Sequence, residues 1–230
     1  MQNYFDYFKK AWLIYRSNIK TFFSFSAFIA VLSLVSGLVS NSVPINSRFS
    51  FLPLLLPVAI FLASLVFIIA LYQSVNRAIS NQPALDFKDR LSKSLKRFWP
   101  FLTTAILVGI IVVAGTILLI VPGILFAIWY FASLYISANE DVSTMASLDR
   151  SKRLVSGRWW QVFGYIIILG LMVGIPLAIL SIPVTYGLTI PFGQLNAGVI
   201  VSALISLIFT PFEYLIVGMI YYDLKNTAGE

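Results

Sequence analysis

Long stretches without a charged residue constrain the fold of this chain more than any other feature of its sequence. Residues 98–139 and 159–212 contain no Asp, Glu, Lys or Arg, and neither do residues 21–47 and 49–76. A helix that crosses the roughly 30 Å hydrocarbon core of a bilayer needs about 20 apolar residues, so the two longest stretches each have room for two such helices. Only 11% of the residues are charged, against roughly a quarter in soluble domains, which excludes an ordinary soluble fold.

These stretches predict an all-α, polytopic integral membrane protein with six transmembrane helices in three hairpins. The apolar residues come in continuous runs, without the alternation that a transmembrane β-strand needs, so a β-barrel is disfavoured. The first twenty residues lack a short apolar core with a cleavage site, so the first span is expected to be an uncleaved insertion signal. The predicted single transmembrane domain covers residues 1–230, with spans at about 21–40, 51–72, 99–120, 122–138, 162–182 and 197–222.

The third and fourth spans follow each other so closely that they require a tight turn, and Pro122 and Gly123 are predicted to form it. Proline fixes φ at the first central position of a turn, and glycine accepts a positive φ at the second. Two helices can therefore reverse direction here with almost no loop.

The distribution of Lys and Arg predicts the orientation of the protein. Residues 1–20, 73–97, 139–161 and 223–230 hold fifteen of the sixteen cations, and Arg48 is the only cation on the opposite side. By the positive-inside rule, the chain is a multi-pass protein of the prokaryotic cytoplasmic (inner) membrane with both termini in the cytoplasm. The net charge of +7 then reflects membrane orientation, and nucleic acid is not expected as a partner.

Each of the first three basic stretches precedes a predicted hairpin and has the apolar spacing of an amphipathic helix. In the second stretch, Leu91 and Leu95 are expected to lie opposite the cations. The expected partners are membrane lipids with anionic headgroups, with a protein partner or a homo-oligomer as further options; the alternative is that the cations only anchor the topology. The candidate lipid or partner surface comprises Lys93, Lys96, Arg97, Lys152, Arg153, Arg158, Trp159 and Trp160.

Glu213 is a candidate intramembrane ion site because it is the one ionisable residue well inside a predicted span. Pro211 removes a helix hydrogen bond close to it and frees the carbonyl of Leu207. Gln73 and Asn76 are available as further ligands. A carboxylate beside an opened backbone is typical of proton or cation sites in transporters. The alternative is a structural glutamate that packs against the second span.

Four further polar residues, Asn139, Glu140, Arg150 and Ser151, form a candidate network at the cytoplasmic mouth. Local pairing of charges along a helix is the simpler explanation for the acidic residues there. The chain has no Cys and no His, which excludes thiolate and imidazole chemistry, and it contains no P-loop, HExxH or EF-hand pattern. We therefore expect no enzyme, no catalytic residue, no cofactor and no metal site.

Several short motifs together resemble a known bacterial family. They are LIVPGI at residues 119–124, SLDRS at 147–151, GRWW at 157–160 and YYDLK at 221–225. The pattern resembles the membrane domain fused to some bacterial glycerophosphoryl diester phosphodiesterases, which also occurs as stand-alone, YciC-like uncharacterised six-span membrane proteins. The resemblance implies a six-helix inner-membrane protein. It does not imply phosphodiesterase activity, because the family's catalytic barrel is a separate domain of about 250 residues.

Two functions follow as expectations. The first is a non-enzymatic organiser of lipid or partner proteins that acts through the basic interfacial helices. The second is a small secondary transporter or channel that uses Glu213 as a proton or cation site.

Overall fold

The computed structural model describes residues 4–42, 52–192 and 194–228, which leaves the predicted external cation Arg48 outside the described residues. The described chain is helical, and it contains no strand. Its helices are α1 (Tyr4–Ser17), α2 (Ile19–Ser42), α3 (Leu52–Ile79), α4 (Phe87–Lys96), α5 (Phe98–Leu118), α6 (Ile120–Trp129), α7 (Ser133–Asn139), α8 (Thr144–Val155), α9 (Trp159–Phe192) and α10 (Gln194–Ala228).

The prediction of an all-α chain with several helices long and apolar enough to span a membrane is confirmed. Five segments are long and apolar enough to cross a bilayer, and α10 supplies a sixth if its two bent halves form one span. The five lie within α2, α3, α5, the α6–α7 pair and α9. In α10 the halves Ala197–Leu207 and Phe209–Ala228 meet at 43°, as expected close to Pro211, which interrupts the helix hydrogen bonds.

Helix α9 is longer than predicted. The predicted span ends at residue 182, whereas the helix continues through Pro183 to Phe192. Proline is tolerated in membrane helices because neighbouring groups satisfy the backbone atoms that it frees. A proline in an apolar segment is therefore a weak marker of a helix end.

The reversal between α5 and α6 lies three residues before the predicted turn. Leu119 is extended, with φ −162° and ψ 145°, whereas Pro122 and Gly123 lie within the first turn of α6. Proline is accepted there because the first N–H groups of a helix have no partner within it. Gly123 permits close approach, since a Cβ at this position would lie 2.9 Å from the backbone nitrogen of Thr116. The glycine is needed for space, and not for a positive φ.

The core lies where α7 packs between α3 and α10. Tyr135 of α7 is 1% exposed, and Val75 and Leu215 are fully buried beside it in the same cluster. Gly218 of α10 brings the helices close together, because a Cβ there would lie 2.9 Å from side-chain atoms of Val75, Tyr135 and Ile79. The ends of α3, α7 and α10 are thereby held in one place.

Helix α4 contacts the rest of the protein through a different face from the one predicted. Leu95 is 56% exposed, whereas Arg90 is 3% exposed and Ser94 is fully buried. The apolar spacing alone suggested the opposite arrangement. Polar groups face the bundle here because α3 and the segment before α4 offer hydrogen-bond acceptors to Arg90.

Candidate functional site

A polar cavity of about 510 Å³ opens where α3 and α7 end and α5 begins. We call it the basic pocket. Four cations and one carboxylate contribute to its wall, together with four side-chain amides. The charged residues are Arg77, Lys93, Lys96, Arg97 and Asp141, and the amides are Gln73, Asn76, Gln82 and Asn139.

Arg90 positions the helix that supplies two of these cations, Lys93 and Lys96. Its Nη1 donates a hydrogen bond of 2.6 Å to Ser74 Oγ, and its Nη2 donates one of 2.5 Å to the Leu85 carbonyl. The guanidinium also lies 5.0 Å from the ring centre of Phe25, a cation–π contact. Burial lowers the pKa of Arg90, with nearby Arg77 as a smaller cause. These contacts fix α4 against α3 and α2, and thereby hold its cations over the pocket.

Gln73, which lines the pocket, connects three elements through its side-chain hydrogen bonds. Its Nε2 donates to the Ala138 carbonyl at 3.2 Å, and its Oε1 lies 3.5 Å from the donating hydroxyl of Ser94. It therefore connects α3 to the end of α7 and to α4.

Asn76 has a similar position on the next turn of α3. Its Oδ1 accepts hydrogen bonds from the Tyr135 hydroxyl at 2.9 Å and the Tyr222 hydroxyl at 2.8 Å. An amide oxygen has two lone pairs, and both are used here. The oxygen is therefore not available to coordinate a cation.

One ion pair lies at the rim of the pocket. Arg97 Nη1 is 2.8 Å from Asp141 Oδ1, and the aspartate side chain is 97% exposed. Exposed pairs of this kind contribute little to stability. The contact nevertheless holds the junction of α4 and α5 close to the loop that follows α7.

The four polar residues predicted as one network divide into separate contacts. Glu140 accepts hydrogen bonds from Arg150 Nη1 and from the Tyr221 hydroxyl. Asn139 Nδ2 donates to the Tyr135 carbonyl at 2.9 Å, within its own helix. Glu140 is thus the residue that links the start of the loop after α7 to α8 and α10.

Ser151 has a local structural role. Its hydroxyl donates to the Trp129 carbonyl at 2.7 Å and accepts from the Ala132 N–H at 3.2 Å. These are backbone groups at the break between α6 and α7. Ser151 therefore satisfies polar groups that the break would leave without a partner within this apolar segment.

The predicted lipid or partner surface also divides in two. Lys93, Lys96 and Arg97 line the basic pocket, whereas the other five residues lie around the junction of α8 and α9, which we call the α8–α9 corner. At this corner Lys152 Nζ is 5.0 Å from the ring centre of Trp129, and Arg158 Nη2 donates to the Thr227 carbonyl at 3.0 Å. The corner residues are Lys152, Arg153, Arg158, Trp159 and Trp160.

Glu213 does not lie together with Gln73 and Asn76, so the predicted three-residue ion site is not formed. Glu213 lies in the wall of an apolar groove of about 550 Å³ between α6, α9 and α10, while the two amides line the basic pocket. The groove is otherwise lined by apolar residues such as Ile128, Phe163 and Leu169, together with two glycines. The hydrogen bonds and ion pairs of the described chain do not include the Glu213 carboxyl group.

Sequence reasoning missed Arg77 and Arg90. Arg77 lies at the end of α3, and its Nε donates to the Pro83 carbonyl at 2.8 Å; its place in a basic stretch was the available signal. Nothing in the local sequence marks Arg90 as the buried cation of α4, because Ser74, its main partner, lies on another helix.

Comparison with known proteins adds a family but no function. The chain has no match among curated proteins and none among solved structures. The resemblance to the YciC-like proteins therefore stays a prediction. Residues 94–224 match the family described as a domain of unknown function, DUF7847. Because this match covers more than half of the 230 residues, the chain belongs to the DUF7847 family.

Proposed function

We propose that this chain is a non-enzymatic organiser of the prokaryotic inner membrane, which gathers anionic lipid or a partner protein at its cytoplasmic face. In this proposal six spans form three hairpins, and the basic helices lie on the cytoplasmic side with both termini. The observation that carries it is the convergence of Arg77, Lys93, Lys96 and Arg97 around one cavity. A single carboxylate, Asp141, opposes these four charges.

The electrostatics of membranes support this function. A cation close to an anionic surface contributes about 1 kcal/mol of binding free energy, so a cluster of cations retains anionic lipid without enzymatic chemistry. Trp99 at the start of α5 is 70% exposed, and Trp160 at the start of α9 is 66% exposed. Tryptophan prefers the headgroup level of a bilayer, so these two residues support an interfacial position for the basic helices.

The orientation is testable because the chain has no cysteine. In intact cells, we expect a membrane-impermeant maleimide to label Val121→Cys, at the turn predicted to face outward. It should leave Ser156→Cys, in the basic stretch before α9, unlabelled until the membrane is permeabilised. The reverse labelling pattern would contradict the proposed topology.

The organising function is testable by native mass spectrometry of the gently purified protein. We expect the wild-type chain to retain anionic lipid or a stoichiometric protein partner. A variant with Lys93, Lys96, Lys152 and Arg153 all changed to glutamine should lose it, because the attraction depends on these charges. If this variant folds and retains as much lipid or partner as the wild type, the organising function is wrong.

A small transporter or channel is the second candidate, and the position of Glu213 favours it. Glu213 is an exposed residue in the wall of the apolar groove between α6, α9 and α10. An acidic group in such surroundings is costly and is often functional. The test is proton-coupled flux in liposomes: Glu213→Gln should abolish it, whereas Gln73→Ala should leave it intact because Gln73 lines a different cavity. Full flux in Glu213→Gln would exclude the carboxylate as the ion site.

A further inference from the structure

We propose that the basic pocket is a binding site for a phosphate group, carried either by a lipid headgroup or by a small soluble phosphate ester. The inference rests on the proposed function, since it names a ligand class and a location for the organiser's attraction to anions. It is carried by the charge balance of the pocket, the polarity of its hydrogen-bonding groups, the anchoring of α4, and two exposed residues next to its cations in the sequence.

The charge balance of the pocket favours an anion. Lys93 and Lys96 are three residues apart on α4, so they lie on the same side of the helix, and Arg97 follows directly. Among the described residues, neither lysine has an ion-pair partner, and Asp141 is paired with Arg97. Like charges at this spacing repel each other. An anion in the pocket would remove this repulsion, which gives a specific reason for it to bind here.

The hydrogen-bonding groups of the pocket suit phosphate better than a metal cation. Gln73 Oε1 lies opposite the Ser94 hydroxyl, and Asn76 Oδ1 accepts from two tyrosine hydroxyls. The oxygen atoms of these two amides therefore already accept hydrogen bonds, whereas the lysine ammonium and arginine guanidinium groups are donors only. Charge-assisted bonds from Arg and Lys to phosphate oxygens are among the strongest hydrogen bonds in proteins.

The anchoring of α4 prepares the site before the ligand arrives. Arg90 and Ser94 are buried, and both are bonded to side chains of α3. Lys93 precedes Ser94 directly, so its backbone position is fixed by these contacts. A binding group on a fixed helix loses less conformational entropy when it binds than one on a mobile loop.

The surroundings of the pocket favour a lipid as the source of the phosphate. Leu95 and Trp99, which flank the pocket cations in sequence, are 56% and 70% exposed. Apolar and aromatic side chains of this kind are suited to acyl chains and to the headgroup level. The volume of about 510 Å³ lies within the usual range for sites that hold small molecules, and is therefore large enough for a headgroup.

The closing experiment compares two double variants that lose equal charge. Lys93→Gln/Lys96→Gln removes two cations from the pocket, and Lys152→Gln/Arg153→Gln removes two cations from the α8–α9 corner. Binding of phosphatidic acid to the full-length protein in detergent is titrated by native mass spectrometry, with phosphatidylcholine as the uncharged lipid. Binding of inorganic phosphate is measured by equilibrium dialysis on the same proteins. Lys93→Arg/Lys96→Arg keeps the charge and serves as the control for folding.

We expect the pocket variant to bind phosphatidic acid about tenfold more weakly than the wild type. The corner variant should change by less than about twofold, and the Arg variant should bind normally. If the natural ligand is instead a soluble ester, inorganic phosphate itself should bind, and the pocket variant should lose that binding. Either pattern supports the site.

If the pocket and corner variants lost phosphatidic acid binding equally, the inference would be overturned. The proposed function would remain intact, because the attraction between the protein and anionic lipid would then be spread over the whole basic surface. The inference would be overturned as well if neither variant weakened the binding of phosphatidic acid or of inorganic phosphate. If the wild-type protein binds neither lipid nor phosphate and retains no partner protein, the proposed function is also wrong.

Discussion

The hydroxyl group of Ser26 in α2 donates a hydrogen bond of 2.8 Å to the carbonyl oxygen of Leu207 in α10. Pro211 lies four residues after Leu207 and has no N–H, so this carbonyl lacks its usual partner within the helix. The freed carbonyl was expected from the sequence. The structure adds the group that satisfies it, on a helix that lies 181 residues earlier in the chain.

We predict that Ser26→Ala destabilises the protein by about 1 kcal/mol, the usual scale for a hydrogen bond between membrane helices. The measurement is the free energy of unfolding in detergent. Ser24→Ala is a matched control, because the Ser24 hydroxyl bonds only within its own helix, to the Thr21 carbonyl. In a Pro211→Ala background, the restored N–H should reduce the cost of Ser26→Ala. An equal cost in both backgrounds would contradict this explanation.

A second prediction concerns Glu140, which accepts hydrogen bonds from Arg150 and Tyr221. The side chains of Glu140 and Arg150 are only about one-fifth exposed, so removal of one partner leaves a poorly solvated charge. We expect Arg150→Met to cost about 2 kcal/mol of unfolding free energy, less than a fully buried pair because water still reaches it. Arg97→Met should cost under about 0.5 kcal/mol, since its partner is almost fully exposed. Similar losses of unfolding free energy in both variants would show that the burial of an ion pair does not determine its contribution to stability.

A third prediction distinguishes the two roles considered for Gly123. A Cβ at this position would lie 2.9 Å from backbone atoms of Thr116, which cannot easily move. We expect Gly123→Ala to destabilise the protein by about 1–3 kcal/mol through overpacking. Gly109→Ala in α5 is the control, because nothing lies within 4 Å of its added methyl group. A neutral Gly123→Ala variant would show that α5 and α6 do not approach each other this closely.

The helices were largely predictable from the sequence, because a charge-free length is a direct requirement of the bilayer core. The ends of the helices were less predictable. Residues 98–139 correctly suggested two apolar segments, but the reversal falls at Leu119 because proline suits the first turn of a helix as well as it suits a tight turn. Because proline is compatible with both local structures, its presence alone does not show whether a turn or a helix start lies at that position.

The sequence indicated which residues belong to candidate sites, but it did not indicate which of these residues lie together. Gln73 and Asn76 are near the end of a predicted span, which made them plausible partners for Glu213, but helix packing directs them to the basic pocket. Arg90 was expected among the cations opposite Leu91 and Leu95, but it is buried, and its burial depends on a hydroxyl group of another helix. Contacts between helices distant in sequence decide these outcomes, and local patterns contain no information about them.

The last prediction concerns the pH dependence of stability at Tyr7, which lies in α1 before the first membrane helix. Burial raises the pKa of Tyr7 above its ordinary value of 10.0, and the neighbouring Asp223 raises this pKa further through its charge and a hydrogen bond. Below about pH 10 the hydroxyl is protonated in both states, so its contribution to stability is complete. Above this pH the unfolded chain loses the proton while the folded chain keeps it, and the free energy of unfolding falls as pH rises.

We therefore expect the thermal midpoint of the wild-type protein to fall more steeply than that of Tyr7→Phe between about pH 9 and about pH 11. Below this range Tyr7→Phe should be the less stable protein, because it lacks the hydroxyl group beside Asp223. Parallel curves for the wild type and Tyr7→Phe would show that Tyr7 titrates alike in the folded and unfolded chains, and that its contact with Asp223 does not link α1 to α10.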